Sequence, residues 1–174
     1  MAKKKFKTVE EALKALYNED AVLEDVPENL KSTEAILNAV RQDWELIQFV
    51  PNDLKTEEMC LEAIMLNGNA FSSVPNNLRS MKVCLAALQN HEHALRLVPD
   101  KLKTEEICLI AVQKNGFQLR YISEKLKTEK ICLEAAKDIK RCLQEGEIEE
   151  DDVKDFLKYV PNSLKSKVEA AIKG

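Results

Sequence analysis

Apolar positions along this chain recur at a fixed stride. Val-Pro stands at Val26-Pro27, Val50-Pro51, Val74-Pro75 and Val98-Pro99, Ile122-Ser123 fills the next position, and every step is 24 residues. The same stride carries Leu30, Leu54, Leu78, Leu102 and Leu126. It also carries the cations Lys31, Lys55, Arg79, Lys103 and Lys127, and the hydroxyl residues Ser32, Thr56, Ser80, Thr104 and Thr128. A period of this length marks a repeat architecture, in which each repeat buries its apolar face against its neighbours.

The copy from Thr104 to Lys127 shows the elements most plainly. Thr104 offers the side-chain oxygen of an N-cap, and Glu105-Glu106 put negative charge in the first turn, where the helix dipole favours it. Ile107, Cys108, Leu109, Ala111 and Val112 cover an arc of about 200° at helical spacing, too wide for a lone surface helix and suited to one held between neighbours. Asn115-Gly116, like Asn67-Gly68, predicts a left-handed C-terminal stop. Phe117, Leu119, Tyr121 and Ile122 then predict a short second helix, which the Val-Pro step of the sister repeats ends. Aligned by repeat, the expected core forms columns. Leu37, Leu61, Leu85, Leu109 and Leu133 make one, and Ala39, Ala63, Ala87, Ala111 and Ala135 another, whose small side chains let helices approach to about 8–10 Å.

The predicted fold is an all-α solenoid of tandem 24-residue helix–turn–short-helix repeats. Residues 1–7 form a basic tail, and 8–165 hold five 24-residue repeats and one 38-residue repeat with an insertion near 138–152. A C-terminal capping helix covers 166–174. The insertion is expected to lengthen a helix through Ile139, Cys142 and Leu143 and then form an acidic loop from Glu145 to Asp152.

The string from Val98 to Val112, Val-Pro-Asp-Lys-Leu-Lys-Thr-Glu-Glu-Ile-Cys-Leu-Ile-Ala-Val, resembles the tandem repeat of an uncharacterised bacterial domain-of-unknown-function family. The resemblance covers Thr8 to about Lys165 and implies repeated helical architecture in a bacterial setting; it implies no activity, substrate or catalytic residue. Ser123 in the proline position, Met81-Lys82 in place of Glu-Glu and the insertion depart from the pattern.

Composition narrows the function classes. The chain has 174 residues, 45% hydrophobic and 32% charged, which suits a single soluble domain with one packed core. The basic start runs into Lys7-Thr8 and Glu10-Glu11 rather than an apolar signal segment, so a cytoplasmic protein with reduced thiols and no membrane span is expected. A net charge of −4 argues against a general polyanion binder.

Candidate chemistry is sparse. Cys60, Cys84, Cys108 and Cys132 share one core column, so they read as small apolar side chains, at a helix spacing that usually keeps the Cα atoms beyond the roughly 7 Å limit of a disulfide. Cys142 lies outside that column and is the best candidate for an exposed thiol, although its place beside Leu143 favours burial. His91 and His93 fall short of the about four ligands of a closed zinc site and fit a helix end instead. A buried Cys column with only these histidines lacks the parts of a nucleophilic site, and four glycines leave no phosphate-cradling loop. Neither an enzyme nor a cofactor or metal site is expected.

The expected function is a non-catalytic repeat scaffold that binds another protein or peptide through an extended surface. Trp44, in the position of Gly68 and Gly116, and the acidic Glu149, Glu150, Asp151 and Asp152 are the first candidate contacts, because departures from a repeat are free of its stacking rule. Trp44 can equally pack beneath the adjoining short helix, and the acids can equally be a solvated loop. A nucleic-acid-binding solenoid is the alternative, using the ladder Lys31, Lys55, Arg79, Lys103, Lys127 and Lys165 against phosphates. The blander reading of that ladder is surface pairing with first-turn acids such as Glu57, Glu58, Glu105, Glu106 and Glu129. A structural or regulatory spacer is the third reading.

Overall fold

A computed structural model describes residues 6–22 and 25–174, so most of the basic tail and Leu23 of the first repeat lie outside the described residues. All regular elements among the described residues are helices. The chain divides into two compact halves, residues 1–91 and 92–174. The N-terminal half contains α1 (Val9–Tyr17), α2 (Glu28–Lys31), α3 (Thr33–Gln42), α4 (Glu57–Leu66) and α5 (Met81–Asn90). The C-terminal half contains α6 (Glu105–Lys114), α7 (Glu129–Glu145), α8 (Glu150–Leu157) and α9 (Lys165–Lys173). Short 3-10 helices, among them Trp44–Gln48, Gly68–Ser73, Ala94–Leu97 and Gly116–Tyr121, follow the main helices of the regular repeats.

The long helices begin where the hydroxyl residues recur. Thr8, Ser32, Thr56, Ser80, Thr104 and Thr128 each accept a hydrogen bond from the amide three residues on, at 3.1–3.4 Å. Each cap satisfies an amide that the helix itself leaves unpaired, a contribution of about 1 kcal/mol. The preceding turn is equally regular. The carbonyls of Pro27, Pro51, Pro75, Pro99 and Pro161 accept from the leucine amide three residues on at 2.8–3.0 Å, and Ser123 makes the same turn with Leu126 at 2.9 Å. The fixed φ of proline favours the turn, but its carbonyl makes the hydrogen bond, so serine keeps the geometry.

In the N-terminal half α3 packs on α4 and α4 on α5; in the C-terminal half α6 packs on α7 and α7 on α9. Equivalent positions are buried in each half: Met59, Val83, Ile107 and Ile131; Cys60, Cys84, Cys108 and Cys132; Ala63, Ala87, Ala111 and Ala135; and Ile64, Leu88, Val112 and Ala136, all at most 2% exposed. Burying a side chain such as Ile64 or Ile107 contributes about 1.5–3 kcal/mol. The expected leucine column differs. Leu37 is buried, but Leu61, Leu85, Leu109 and Leu133 are only half-buried, because the inward stripe runs through the positions of Met59, Cys60, Ala63 and Ile64 and leaves the leucine on its shoulder.

Two local expectations are corrected. Asn67 and Asn115 are extended, with φ −153° and −154°, rather than left-handed. Their side chains instead cap the next 3-10 helix, accepting from the amides of Asn69 at 3.0 Å and Phe117 at 2.9 Å. The glycines after them serve close approach. A Cβ on Gly68 would lie 2.3 Å from the Asn90 carbonyl oxygen, and one on Gly116 would lie 2.5 Å from that of Ala135.

The acidic loop is also shorter than expected. α7 ends at Gly146, which has a φ of +74°, and α8 begins at Glu150, so Glu150, Asp151 and Asp152 form a helical first turn. Negative charge at a helix start is favourable, and the Asp152 carboxylate accepts from the Glu149 amide at 2.9 Å. α9, packed on α7, occupies the place expected of the C-terminal helix.

Candidate interaction surfaces

Trp44 opens the 3-10 helix Trp44–Gln48 and is half-buried. Asp43 holds that turn by accepting from the Glu45 amide at 3.0 Å, in the position that Asn67 and Asn115 occupy later. On α4, Met65 and Leu66 are 69% and 54% exposed. The repeats on either side place polar side chains there, Arg41 and Gln89 for Met65 and Gln42 and Asn90 for Leu66, whereas the first repeat has Tyr17, 61% exposed, at the Met65 position. These two side chains were not singled out by the repeat pattern, although the alignment of positions exposes them at once.

Glu149, Glu150, Asp151 and Asp152 are exposed in the C-terminal half, whereas Trp44 belongs to the N-terminal half. The acidic turn is partly neutralised from within α8, where Lys154 donates to Asp151 at 2.7 Å and Lys158 pairs with Asp155 at 2.5 Å. The Lys154 ammonium holds the Asp151 carboxyl below its ordinary value, first through the hydrogen bond and then through its charge.

The cationic ladder turns inward. Lys55 donates to the Ser73 carbonyl at 2.8 Å and Lys103 to the Tyr121 carbonyl at 3.1 Å, each reaching 18 residues ahead to the end of the following 3-10 helix. Arg79 donates from Nε to the Val74 carbonyl at 3.0 Å and stacks over Phe71 at 5.2 Å. Lys31, Lys103 and Lys127 pair with Glu28, Asp100 and Glu124 at 2.6–2.9 Å, acids of the preceding turn rather than of the following helix. The Lys127 side chain is only 5% exposed. Burial holds Lys55 and Arg79 below their ordinary values. Lys165 is half-buried at the start of α9.

The cysteines join this arrangement. The Sγ atoms of Cys84 and Cys132 lie 3.8 Å from the carbonyls of Arg79 and Lys127. Burial pushes the thiols of Cys60, Cys84 and Cys132 up to about 11 and raises that of Cys108. Cys142 is also buried, with its thiol pushed up to about 11, by burial first and then by a hydrogen bond to Glu147. His91 and His93 sit at helix ends, as expected, and His93 Nδ1 lies 3.2 Å from the Nε2 of buried Gln118.

Sequence reasoning missed Asp138. Its carboxylate is 9% exposed, accepts from the Gly116 amide at 2.8 Å and pairs with Arg141 at 2.7 Å. It stands at the position of Asn90, the last residue of α5, and α7 runs on past it.

A cleft of about 660 Å³ opens in the C-terminal half between two consecutive Pro-x-x-Leu-type turns. Asp100, Lys101, Lys103, Arg120, Tyr121 and Lys125 are among its lining residues. Arg120 lies 5.6 Å from the Tyr121 ring and 5.7 Å from that of Tyr159, and its Nε donates to the Phe117 carbonyl at 3.2 Å. The Asp100 carboxyl is held below its ordinary value by the hydrogen bond from Lys103, then by the charges of Lys103 and Lys125.

Capped helices, identical turns and shared core columns define a protein of tandem helix–turn repeats. The chain belongs to the family described as a domain of unknown function, DUF4116, whose model matches residues 33–79, 80–127 and 104–145. The first two matches end at Arg79 and Lys127, the last residues of two repeats. No curated protein and no solved structure matches the chain. No helix among the described residues is long and apolar enough to cross a membrane.

Proposed function

We propose that this chain is a non-catalytic repeat solenoid that binds another protein or peptide in the bacterial cytoplasm. Recurrence of the same caps, turns and core columns in both halves supports the solenoid, since a repeated unit with repeated contacts stacks on its own kind. Five buried thiols fit a reducing compartment. The observation that carries the binding reading is the apolar pair Met65 and Leu66, exposed where the repeats on either side place polar side chains. Half-buried Trp44 supplies the aromatic type enriched where partners dock. The ladder favours a protein partner over nucleic acid, because its cations from Lys31 to Lys127 are committed to carbonyls and acids of the chain itself.

In-cell crosslinking with mass spectrometry tests the reading. Partners captured by the natural chain should be lost with the Trp44→Ala, Met65→Glu double variant, or with charge reversal of Glu149, Glu150, Asp151 and Asp152. An unchanged set of partners in both variants contradicts it.

A further inference from the structure

The cleft of the C-terminal half differs in charge from the same position in the other repeats. Lys101 and Lys125 occupy a position held by Asn29, Asp53 and Asn77 in the N-terminal half, and Arg120 one held by Gln48 and Ser72 there and by Arg96 in the preceding repeat. A groove of about 260 Å³ in that half shares the positions of Gln48, Phe49, Val50 and Pro51 with the cleft, but Leu16 and Tyr17 form its other wall. The cleft thus carries three exposed cations where the matching positions of the N-terminal half carry none. Lys101, Arg120 and Lys125 are all exposed, whereas Lys103 is used by Asp100 and the Tyr121 carbonyl. Ser123, where five sister turns have proline, adds an exposed hydroxyl to the lining and makes no capping hydrogen bond.

We infer that this cleft is the docking site of a short acidic peptide segment, two or three of whose carboxylates pair with Lys101, Arg120 and Lys125 while its backbone lies along Tyr121. The inference rests on the protein-binding reading and names the chemistry of the partner. Arg120 suits bidentate contact with a carboxylate, and the Tyr121 and Tyr159 rings beside it limit its freedom before a ligand arrives. Volume and charge favour a peptide over nucleic acid. A cleft of about 660 Å³ is the size of a compact ligand site, whereas a strand of nucleic acid needs a cationic track that continues. Here Asp100 and Glu124 interrupt any such track.

Fluorescence anisotropy of the full chain tests this with a fluorescein-labelled peptide of alternating glutamate and serine, and with a labelled oligothymidine of equal charge. The peptide should bind at low salt and weaken as sodium chloride is raised. The Lys101→Glu, Lys125→Glu double variant should lose at least about tenfold in affinity, or 1.4 kcal/mol, and Arg120→Gln should also weaken binding. Lys7→Glu, Lys82→Glu, which changes the net charge equally outside the cleft, should leave binding within about twofold. The inference is overturned if the peptide does not bind, if the two double variants weaken it equally, or if oligothymidine binds more tightly with the same dependence on Lys101 and Lys125. If the peptide fails to bind while crosslinked partners are still lost on altering Trp44 and Met65, only the cleft assignment fails.

Discussion

The Gly68 and Gly116 junctions solve one packing problem in two ways. At Gly68 the neighbouring helix α5 ends, and its Asn90 carbonyl fills the space a side chain would need. At Gly116 the neighbouring helix α7 runs on, so the space is filled by the Ala135 carbonyl and the Ile139 side chain, and the glycine amide is received by Asp138. The fixed requirement is close approach of the backbone. The polar bookkeeping around it changes with the length of the helix on the other side.

The largest effect should come from closing either junction. Gly68→Ala and Gly116→Ala each force a Cβ against a carbonyl and should destabilise the chain by roughly 2–3 kcal/mol in urea unfolding. Asp138→Ala should separate the junctions, because it strands the buried Gly116 amide and removes a partner of Arg141. A loss of about 1–3 kcal/mol is expected, whereas Asn90→Ala, which leaves the main-chain carbonyl beside Gly68 in place, should cost far less. Thr104→Ala and Thr56→Ala should each cost about 1 kcal/mol, equally in the two halves, since both caps have the same geometry.

A smaller, pH-dependent effect comes from the thiols. Cys60, Cys84, Cys132 and Cys142 are pushed from 9.0 to about 11, so between those values the unfolded chain holds fewer protons than the folded one. Their contribution is fully present below pH 9 and declines as pH rises toward 11. Lys55 and Arg79, held below their ordinary values, act in the opposite direction and are confined to the N-terminal half. Replacing Cys132 and Cys142 with alanine should therefore flatten the alkaline decline in urea-unfolding stability between pH 9 and 11; an unchanged slope would contradict the burial argument.

The repeat was legible because its determinants are local. A hydroxyl three residues before an amide, a Pro-x-x-Leu turn and an alanine at one point of every helix need no distant partner. What escaped the sequence depends on separation in the chain. The Lys55 and Lys103 targets are carbonyls 18 residues ahead, which carry no side-chain signal. Asp138 matters through the amide of Gly116, 22 residues earlier, at a position where α5 has Asn90. Asn67-Gly68 has the composition of a helix stop, yet the asparagine side chain makes an extended cap more favourable, and the glycine answers to Asn90. The candidate cleft was overlooked for a related reason. The regular cations drew the eye, whereas the exposed ones, Lys101, Arg120 and Lys125, stand at positions that vary from repeat to repeat.

The claim that positions one stride apart are structurally interchangeable is tested most directly by deleting one whole repeat, Thr56 to Arg79, and following urea unfolding by circular dichroism. Lys55 then precedes Ser80, and every cap, turn and column keeps a partner of the same kind. The account predicts a helical chain with a single cooperative transition, while deletion of only its first half, residues 56–67, abolishes cooperativity. Loss of cooperative unfolding in the full-repeat deletion, or its retention in the half-repeat deletion, would contradict it.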